Sequence, residues 1–386
     1  MEMRTVKLGD LYTVSNGLSK GKAFFGQGYP FLTFSEVMNN FFVPETLQSL
    51  VQTEDKERAN FSIHRGDIFL NRTSETADEL GISCVALKDY PNATFNGFCK
   101  RLRPITKDVV PEYIGYYLRT NAFRKHMSAL TGSMITRASL RNEQLLSIEI
   151  ELPSKEVQLK IAYILRQYDL LIDNCKAQIA LLEEAAQRLY REWFVDLRFP
   201  GYESTPIGEN GLPEGWDLVK IGSEFDISTG KKDANFGGKT GYYPFFTCAQ
   251  EPIRADSYSF DTHAIILAGN GDFNVKLFKG KFEAYQRTYV ITTNTDLIWL
   301  GFFAIKNNMA TLTVGASGST IKFLTKGMIE DIDCVMPSIK ILEEFNKAVS
   351  AYFKQLETLK DKLSNISLLR DMLLPRLISG QIEINV

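Results

Sequence analysis

The side chains with chemistry to offer in this chain are cations and amides set in turn-rich stretches. Lys20 and Lys22 follow the Ser15-Asn16-Gly17 turn, and Arg72-Thr73 stands beside the short apolar run at 68–70. Lys100, Arg101 and Arg103 cluster, and Arg137 and Arg141 follow Thr131-Gly132-Ser133. Further along, Lys231, Lys232 and Lys239 occupy the stretch after Gly230, and Asn270 sits between two glycines. Lys276, Lys279 and Lys281 surround Phe278 and Gly280, Gln286 and Arg287 follow Tyr285, and Lys322 follows Gly318-Ser319-Thr320. Lysine and arginine neutralise phosphates, while arginine, asparagine and glutamine can grip a base edge through paired hydrogen bonds. Any one of these residues is ordinary surface charge. Their recurrence at matching loops in two halves of the chain points to nucleic acid.

Catalytic constellations are missing from this reading. The five cysteines and three histidines are scattered, with no CxxC pair and no zinc-ligand spacing. Gly238-Lys239-Thr240 has the end of a phosphate-binding loop, but Asp233 stands where the first glycine is required. No Ser/His/Asp or Cys/His arrangement is apparent. Two other classes stay open. Asp331 and Asp333 could serve a metal-dependent nuclease, and Tyr242, Tyr243 and Phe246 could line a sugar site on a coiled-coil scaffold. Salt-dependent DNA affinity separates the scaffold from a DNA reader.

The elements that must position these loops are two long helices and two strand-rich domains. Ile161, Leu165, Tyr168, Ile172, Cys175, Ile179, Leu182, Ala186, Leu189 and Trp193 follow one another in alternating steps of four and three. That is the 3.5-residue period of a coiled-coil stripe, and no proline or glycine interrupts it. A second series keeps the same steps: Phe345, Val349, Tyr352, Leu356, Leu359, Leu363, Ile366, Arg370, Leu373 and Leu377. Both follow a Pro-Ser pair, Pro153-Ser154 and Pro337-Ser338, which restricts the chain and then offers an N-cap. A helix this long with one apolar stripe needs a partner of equal length, so the two are expected to pair. Pro375 is expected to kink or stop the second one.

The globular parts also repeat. Val6-Lys7-Leu8-Gly9 is answered by Val219-Lys220-Ile221-Gly222, Ser15-Asn16-Gly17 by Ser228-Thr229-Gly230, and Tyr29-Pro30-Phe31 by Tyr243-Pro244-Phe245. The order is therefore domain 1–152, helix 153–199, a Pro/Gly-rich linker 200–215, domain 216–336, and helix with tail 337–386. Within the first domain, 111–128 reads as one helix and 145–152 as a strand. Domain termini usually lie close together, so the helices are expected to run antiparallel with one domain at each end. The fold class is α+β, a pseudo-two-fold tandem repeat. The 386 residues carry a net charge of −2, so any DNA contact must come from local patches. Scattered cysteines, an N-terminus without a signal-peptide core and no long apolar run suggest the cytoplasm and no membrane.

This arrangement resembles the specificity subunit of type I restriction-modification systems. The resemblance rests on Leu152-Pro153-Ser154 leading into Gln158-Leu159-Lys160-Ile161-Ala162, and on Arg191-Glu192-Trp193-Phe194-Val195-Asp196. It rests also on 284–291 (AYQRTYVI) and on the ending 373–382 (LLPRLISGQI). The second helix departs from the pattern by opening Ile341-Leu342-Glu343-Glu344-Phe345. The resemblance implies two target-recognition domains, each reading half of a split double-stranded DNA sequence, with the helices setting the gap. It implies docking of two methyltransferase subunits that hold S-adenosylmethionine, and of restriction-translocase subunits that use ATP and Mg. On this reading the chain itself is not an enzyme and holds no cofactor or metal.

Overall fold

The computed structural model describes every residue except Met1, 75–78, 130–137, 316–321, 383 and 385–386. It divides into two compact units, Met1–Cys175 with Lys362–Val386, and Lys176–Asp361. The division runs through both long helices, so each unit holds the start of one and the end of the other.

In the first unit β1 (Met3–Lys7) leads through the single turn α1 (Leu8–Leu11) to β2 (Tyr12–Asn16) and β3 (Phe25–Leu32). Next come α2 (Phe34–Asn39), β4 (Leu50–Val51), α3 (Asp55–Asn60), β5 (Ile68–Asn71), β6 (Thr73–Ser74), β7 (Ser83–Val85) and β8 (Thr94–Phe95). After β9 (Cys99–Pro104) follow α4 (Pro111–Tyr117), α5 (Asn121–Ala129), β10 (Ala138–Ser139), α6 (Asn142–Leu146), β11 (Glu149–Pro153) and the long α7 (Lys155–Phe194). A capping box starts α2: Thr33 Oγ1 accepts from the Glu36 N–H at 3.2 Å, and Glu36 accepts from the Thr33 N–H at 2.8 Å.

The second unit runs β12 (Asp217–Lys220), α8 (Ile221–Glu224), β13 (Asp226–Thr229), β14 (Tyr243–Phe246), β15 (Ile253–Ala255) and β16 (Phe260–Ala268). It continues with β17 (Val275–Ala284), β18 (Thr288–Thr292), α9 (Ile298–Gly315), α10 (Lys326–Glu330), β19 (Asp333–Met336) and α11 (Ile339–Ile378).

The tandem repeat holds in the strand pairings that frame each domain. β1 pairs antiparallel with β11, bringing Val6 opposite Ile150, and β12 pairs with β19, bringing Val219 opposite Cys334. Each domain thus closes its first strand on its last, immediately before a long helix begins. Phe31 and Leu32 lie parallel to Thr94 and Phe95, as Phe245 and Phe246 do to Glu283 and Ala284. The sheets differ in continuity. In the second unit β17 serves both neighbours, giving one six-stranded sheet in the order β13-β18-β16-β17-β14-β15. In the first unit the corresponding track breaks after Val85 and resumes at Thr94, leaving a four-stranded sheet β2-β9-β5-β7 and a three-stranded sheet β4-β3-β8.

Each of the long helices has 40 residues. Ser154 Oγ accepts from the Val157 N–H at 3.4 Å, at the position expected of a cap. Every member of the two apolar series is buried or half-buried, Tyr168, Ile172, Ile179, Leu182, Leu189, Leu356, Leu359, Leu363 and Leu373 among them. In the first unit Ile161 and Leu165 share a core with Leu374, Leu377 and Ile378. In the second, Ala186, Tyr190 and Phe194 share one with Ile341, Phe345 and Val349, and the rings of Phe194 and Phe345 meet edge to face at 4.8 Å. The start of one helix lies on the end of the other in both units, so the pair is antiparallel. The cores of the domains run into this seam without a gap, as Tyr113 and Ile114 join the first cluster and Phe303 the second.

Local expectations needed three corrections. Residues 111–128 form two helices, α4 and α5, because the chain turns at 118–120, where Thr120 Oγ1 donates to the Tyr117 carbonyl at 2.7 Å. Residues 145–152 begin as the end of α6 and become strand only at Glu149. Pro375 does not stop α11, which continues to Ile378. So near the end, proline removes a single helical hydrogen bond.

The seam has one polar step. Arg370 occupies in α11 the place that Ala186 holds in α7. Its Nη1 lies 2.9 Å from Asp169 Oδ1, with side-chain exposures of 15% and 10%. Tyr116 Oη donates to the same carboxylate, and the guanidinium lies over the Phe41 ring at 5.0 Å. Arg370→Ala should therefore leave a buried carboxylate with only Tyr116 and Arg166, the latter 3.9 Å away, and destabilise the first unit by roughly 3 kcal/mol. The reading is a lower urea midpoint, and an unchanged midpoint would show the pair to be idle.

Candidate nucleic-acid interface

In both units some of the sequence-predicted cations lie at one backbone frame. Its centre is a tight turn, Asn96–Cys99 in the first unit and Tyr285–Thr288 in the second. The Cys99 N–H donates to the Asn96 carbonyl at 2.9 Å, and the Thr288 N–H to that of Tyr285 at 2.8 Å. The turn hangs on the central sheet through Asn96 N–H to Leu32 O at 3.0 Å and Tyr285 N–H to Phe246 O at 2.9 Å. One flank is tied by Gly17 N–H to Cys99 O at 3.1 Å and Gly230 N–H to Thr288 O at 3.0 Å. The other is tied by Arg72 N–H to Phe98 O at 3.0 Å and Gly269 N–H to Arg287 O at 2.9 Å. A fourth segment closes the set, with Leu140 N–H to Arg72 O at 2.9 Å and Leu324 N–H to Gly269 O at 2.8 Å.

Glycine is required where the flank touches the turn. A Cβ on Gly17 would sit 2.1 Å from the Asn96 carbonyl oxygen, and one on Gly230 would sit 2.1 Å from that of Ala284. These distances are far inside van der Waals contact, so the close approach exists only because both positions lack a side chain.

The frame positions different side chains in the two units. In the second, Gln286 and Arg287 stand exposed at the turn, and the Gln286 N–H donates to the Lys232 carbonyl at 2.9 Å. Lys231 is exposed, while Lys232 lies 4.5 Å over the Phe236 ring. Asn270 bridges to Phe323, and that bridge brings exposed Lys322 to the same cluster. Lys239 is exposed but belongs elsewhere, beside Gly238, which bonds Arg254 in both directions at 2.9 Å. Lys276 is tied back to the Ala249 carbonyl at 2.9 Å, and burial pulls its pKa down.

In the first unit Arg72 and Thr73 are half-buried at the frame, with Thr73 paired to Ser139. Lys100 is buried behind them. Its amine donates to Asn16 Oδ1 at 3.2 Å, and burial, then the charge of Arg72, lowers its pKa. Lys22 is exposed, whereas Lys20 is held 2.7 Å from Glu57. Arg137 lies outside the described residues.

Arg101 and Arg103 are engaged inside the first unit. Arg103 makes two bonds to Asp67, at 2.8 and 2.7 Å, and the Asp67 side chain is fully buried. Arg101 is itself buried and donates to the Ser62 carbonyl at 2.7 Å. A guanidinium engaged in this way is an internal brace. The other two readings fare no better. Lys220 Nζ lies 2.8 Å from both Asp333 Oδ1 and the Asp331 carbonyl, and among the described residues no group of acids, histidines or cysteines could hold a metal ion. Of the three aromatics offered for a sugar site, Phe246 is buried in the sheet core, and only Tyr242 is fully open.

One segment of the frame escaped the sequence reading, the Asn96–Cys99 turn. It shares no residue type in register with Tyr285–Thr288. The signal available was its place, one turn before a strand whose apolar residues Leu102 and Ile291 recur at equal spacing.

Residues 1–184 and 213–368 match the family described as the type I restriction modification DNA specificity domain. The chain belongs to this family. Its two matched stretches are the two strand-rich domains with parts of the long helices. The chain is 39% identical over 155 residues to the EcoDI specificity subunit of Escherichia coli, a match spanning 40% of this chain and 35% of that protein. It is 24% identical to the MjaIX specificity subunit of Methanocaldococcus jannaschii over 98% of this chain and 93% of that one. Its fold is similar to the crystal structure of a type I S subunit from M. genitalium, with a TM-score of 0.57, 14% identity, and coverage of 97% and 96%. DNA-target recognition within a type I restriction-modification complex is accordingly its function. No helix of the described residues is long and apolar enough to cross a membrane.

Removing an internal brace and removing an exposed turn arginine should separate cleanly. Arg103→Ala leaves the buried Asp67 carboxylate without its charged partner, with the His64 N–H still donating to it at 2.7 Å, and should cost roughly 2–3 kcal/mol of stability. Arg287→Ala should leave the thermal unfolding curve where it was.

Proposed function

We propose that each unit reads one half of a split double-stranded DNA target through the surface built on its turn. The observation that carries this reading is the repetition of one hydrogen-bonded frame under two different sets of exposed side chains. Two readers of different half-sites need the same backbone placement and different tips. In the second unit Gln286 and Arg287 hydrogen-bond base edges, and Lys231, Lys232 and Lys322 neutralise phosphates. In the first, Lys22, Arg72 and Thr73 take part.

The chain itself performs no catalysis in this reading. Large apolar side chains on the helices face away from the seam in the first unit, among them Leu159, Tyr163, Leu170, Leu171, Leu368 and Leu369. They are suited to covering by protein partners. Those partners are two methyltransferase subunits holding S-adenosylmethionine and restriction subunits using ATP and Mg. The continuous helices set the unspecified gap between half-sites.

Two outcomes test this. With its methyltransferase present, Arg287→Ala should relax sequence preference at one half-site only. Equal loss at both halves would contradict separate readers. Inserting one heptad into each helix adds ~10 Å and should widen the gap by about three base pairs. Sequencing the methylated sites reads both results, and a gap of unchanged length would remove the helices' measuring role.

A further inference from the structure

The frame makes Phe98 the structural counterpart of Arg287. Both occupy the third position of the turn, and both carbonyls accept from the same flanking position, Arg72 N–H or Gly269 N–H. Phe98 is 59% exposed, although its neighbours Gly97 and Cys99 are both buried. The glycine before it is also closely fitted, since a Cβ on Gly97 would meet Ser19 Oγ at 2.2 Å. A phenyl ring is therefore presented to solvent on a stiff, glycine-fitted support, at the place where the other unit presents a guanidinium.

Building on the proposed DNA-reading surface, we infer that Phe98 is a specificity-determining residue that reads a thymine 5-methyl group in the first unit's half-site. A phenyl ring has no hydrogen bond to offer a base edge. The apolar feature of a base edge in the major groove is the thymine methyl, and phenylalanine is among the side chains that contact it. The shared frame places the Phe98 and Arg287 backbones alike, which favours an edge contact over a wedge driven between base pairs. The two half-sites are thus read at this position by opposite chemistry, methyl contact in one and hydrogen bonding in the other.

The experiment uses the full chain with its methyltransferase and a duplex carrying the split target defined by wild-type methylation. Thymines are replaced singly by deoxyuridine, which removes the methyl and leaves base pairing intact. One replacement in the half-site not relaxed by Arg287→Ala should weaken wild-type binding about fourfold, the worth of one buried methyl group. Phe98→Ala should bind the unmodified duplex with a similar loss and be indifferent to that replacement, while Phe98→Leu should stay sensitive to it. Phe98→Ala should also leave the salt slope unchanged, because no charge is lost. No sensitive thymine in that half-site, or a Phe98→Ala profile equal to wild type, overturns the inference. Undiminished sensitivity in Phe98→Ala does so too. A wild-type complex with no preference for any split target would instead overturn the DNA-reading proposal beneath it. Thermal unfolding of Phe98→Ala should match wild type, as expected for an exposed turn residue, and a large fall would reassign Phe98 to a structural role.

Discussion

Burial of one apolar stripe on each long helix is the constraint on which the rest of this molecule depends. A 40-residue helix with a single stripe is not stable alone in water, because its stability comes from covering that face. Towards its ends each stripe is covered twice over, by the other helix and by a strand-rich domain. Ile161 and Leu165 meet Leu374 and Leu377, and the same cluster takes in Tyr113, Ile114 and Leu152. Phe345 meets Phe194 and Trp193 within a cluster that includes Phe303 and Ile221. The domains are consequently not beads attached to a rod. Each is completed by helix residues from two distant parts of the chain, and the first and last strands of each domain pair where the chain enters the helix.

That closure explains how a duplicated sequence could diverge so far and keep its architecture. The pairs β1 with β11 and β12 with β19, and the parallel pairs at Phe31 and Phe245, are backbone contacts that tolerate many side chains. The turn frame behaves in the same way. Five hydrogen bonds between main-chain atoms recur while the turn reads Asn-Gly-Phe-Cys in one unit and Tyr-Gln-Arg-Thr in the other. Gly17 and Gly230 are held to glycine at the same place in both units, because a carbonyl occupies the space a Cβ would need, and Gly97 and Gly269 are as closely fitted in one unit each. A frame set by backbone and presented by side chains lets the two domains acquire different DNA preferences without refolding.

The one polar step in the seam shows the limit of the symmetry. Arg370 and Asp169 form an ion pair in the first unit, capped by Tyr116, while Ala186 holds the corresponding step in the second. A buried pair of this kind adds little net stability over an apolar contact but is costly to break. It marks one end of the helix pair as different from the other in an otherwise matched series.

The helices and the repeat were legible in the amino-acid sequence because both are written locally. A 3.5-residue period needs no knowledge of the partner, and Val-Lys-Leu-Gly answered by Val-Lys-Ile-Gly announces a duplicated start. The sequence also marked the loops at Gly17, Arg72, Gly230, Asn270 and Gln286 that the fold gathers around the turns. Charge alone could not sort their cations. Arg103 and Arg287 look alike in one dimension, yet Arg103 meets a buried carboxylate 36 residues upstream and Arg287 meets solvent. Nor could residue type reveal that Phe98 and Arg287 occupy equivalent places, since their equivalence lies in main-chain hydrogen bonds made with distant strands. Periodicity is a property of neighbours and survives in the sequence. Which charge is satisfied and which is free depends on long-range pairing, and only the folded chain brings those partners together.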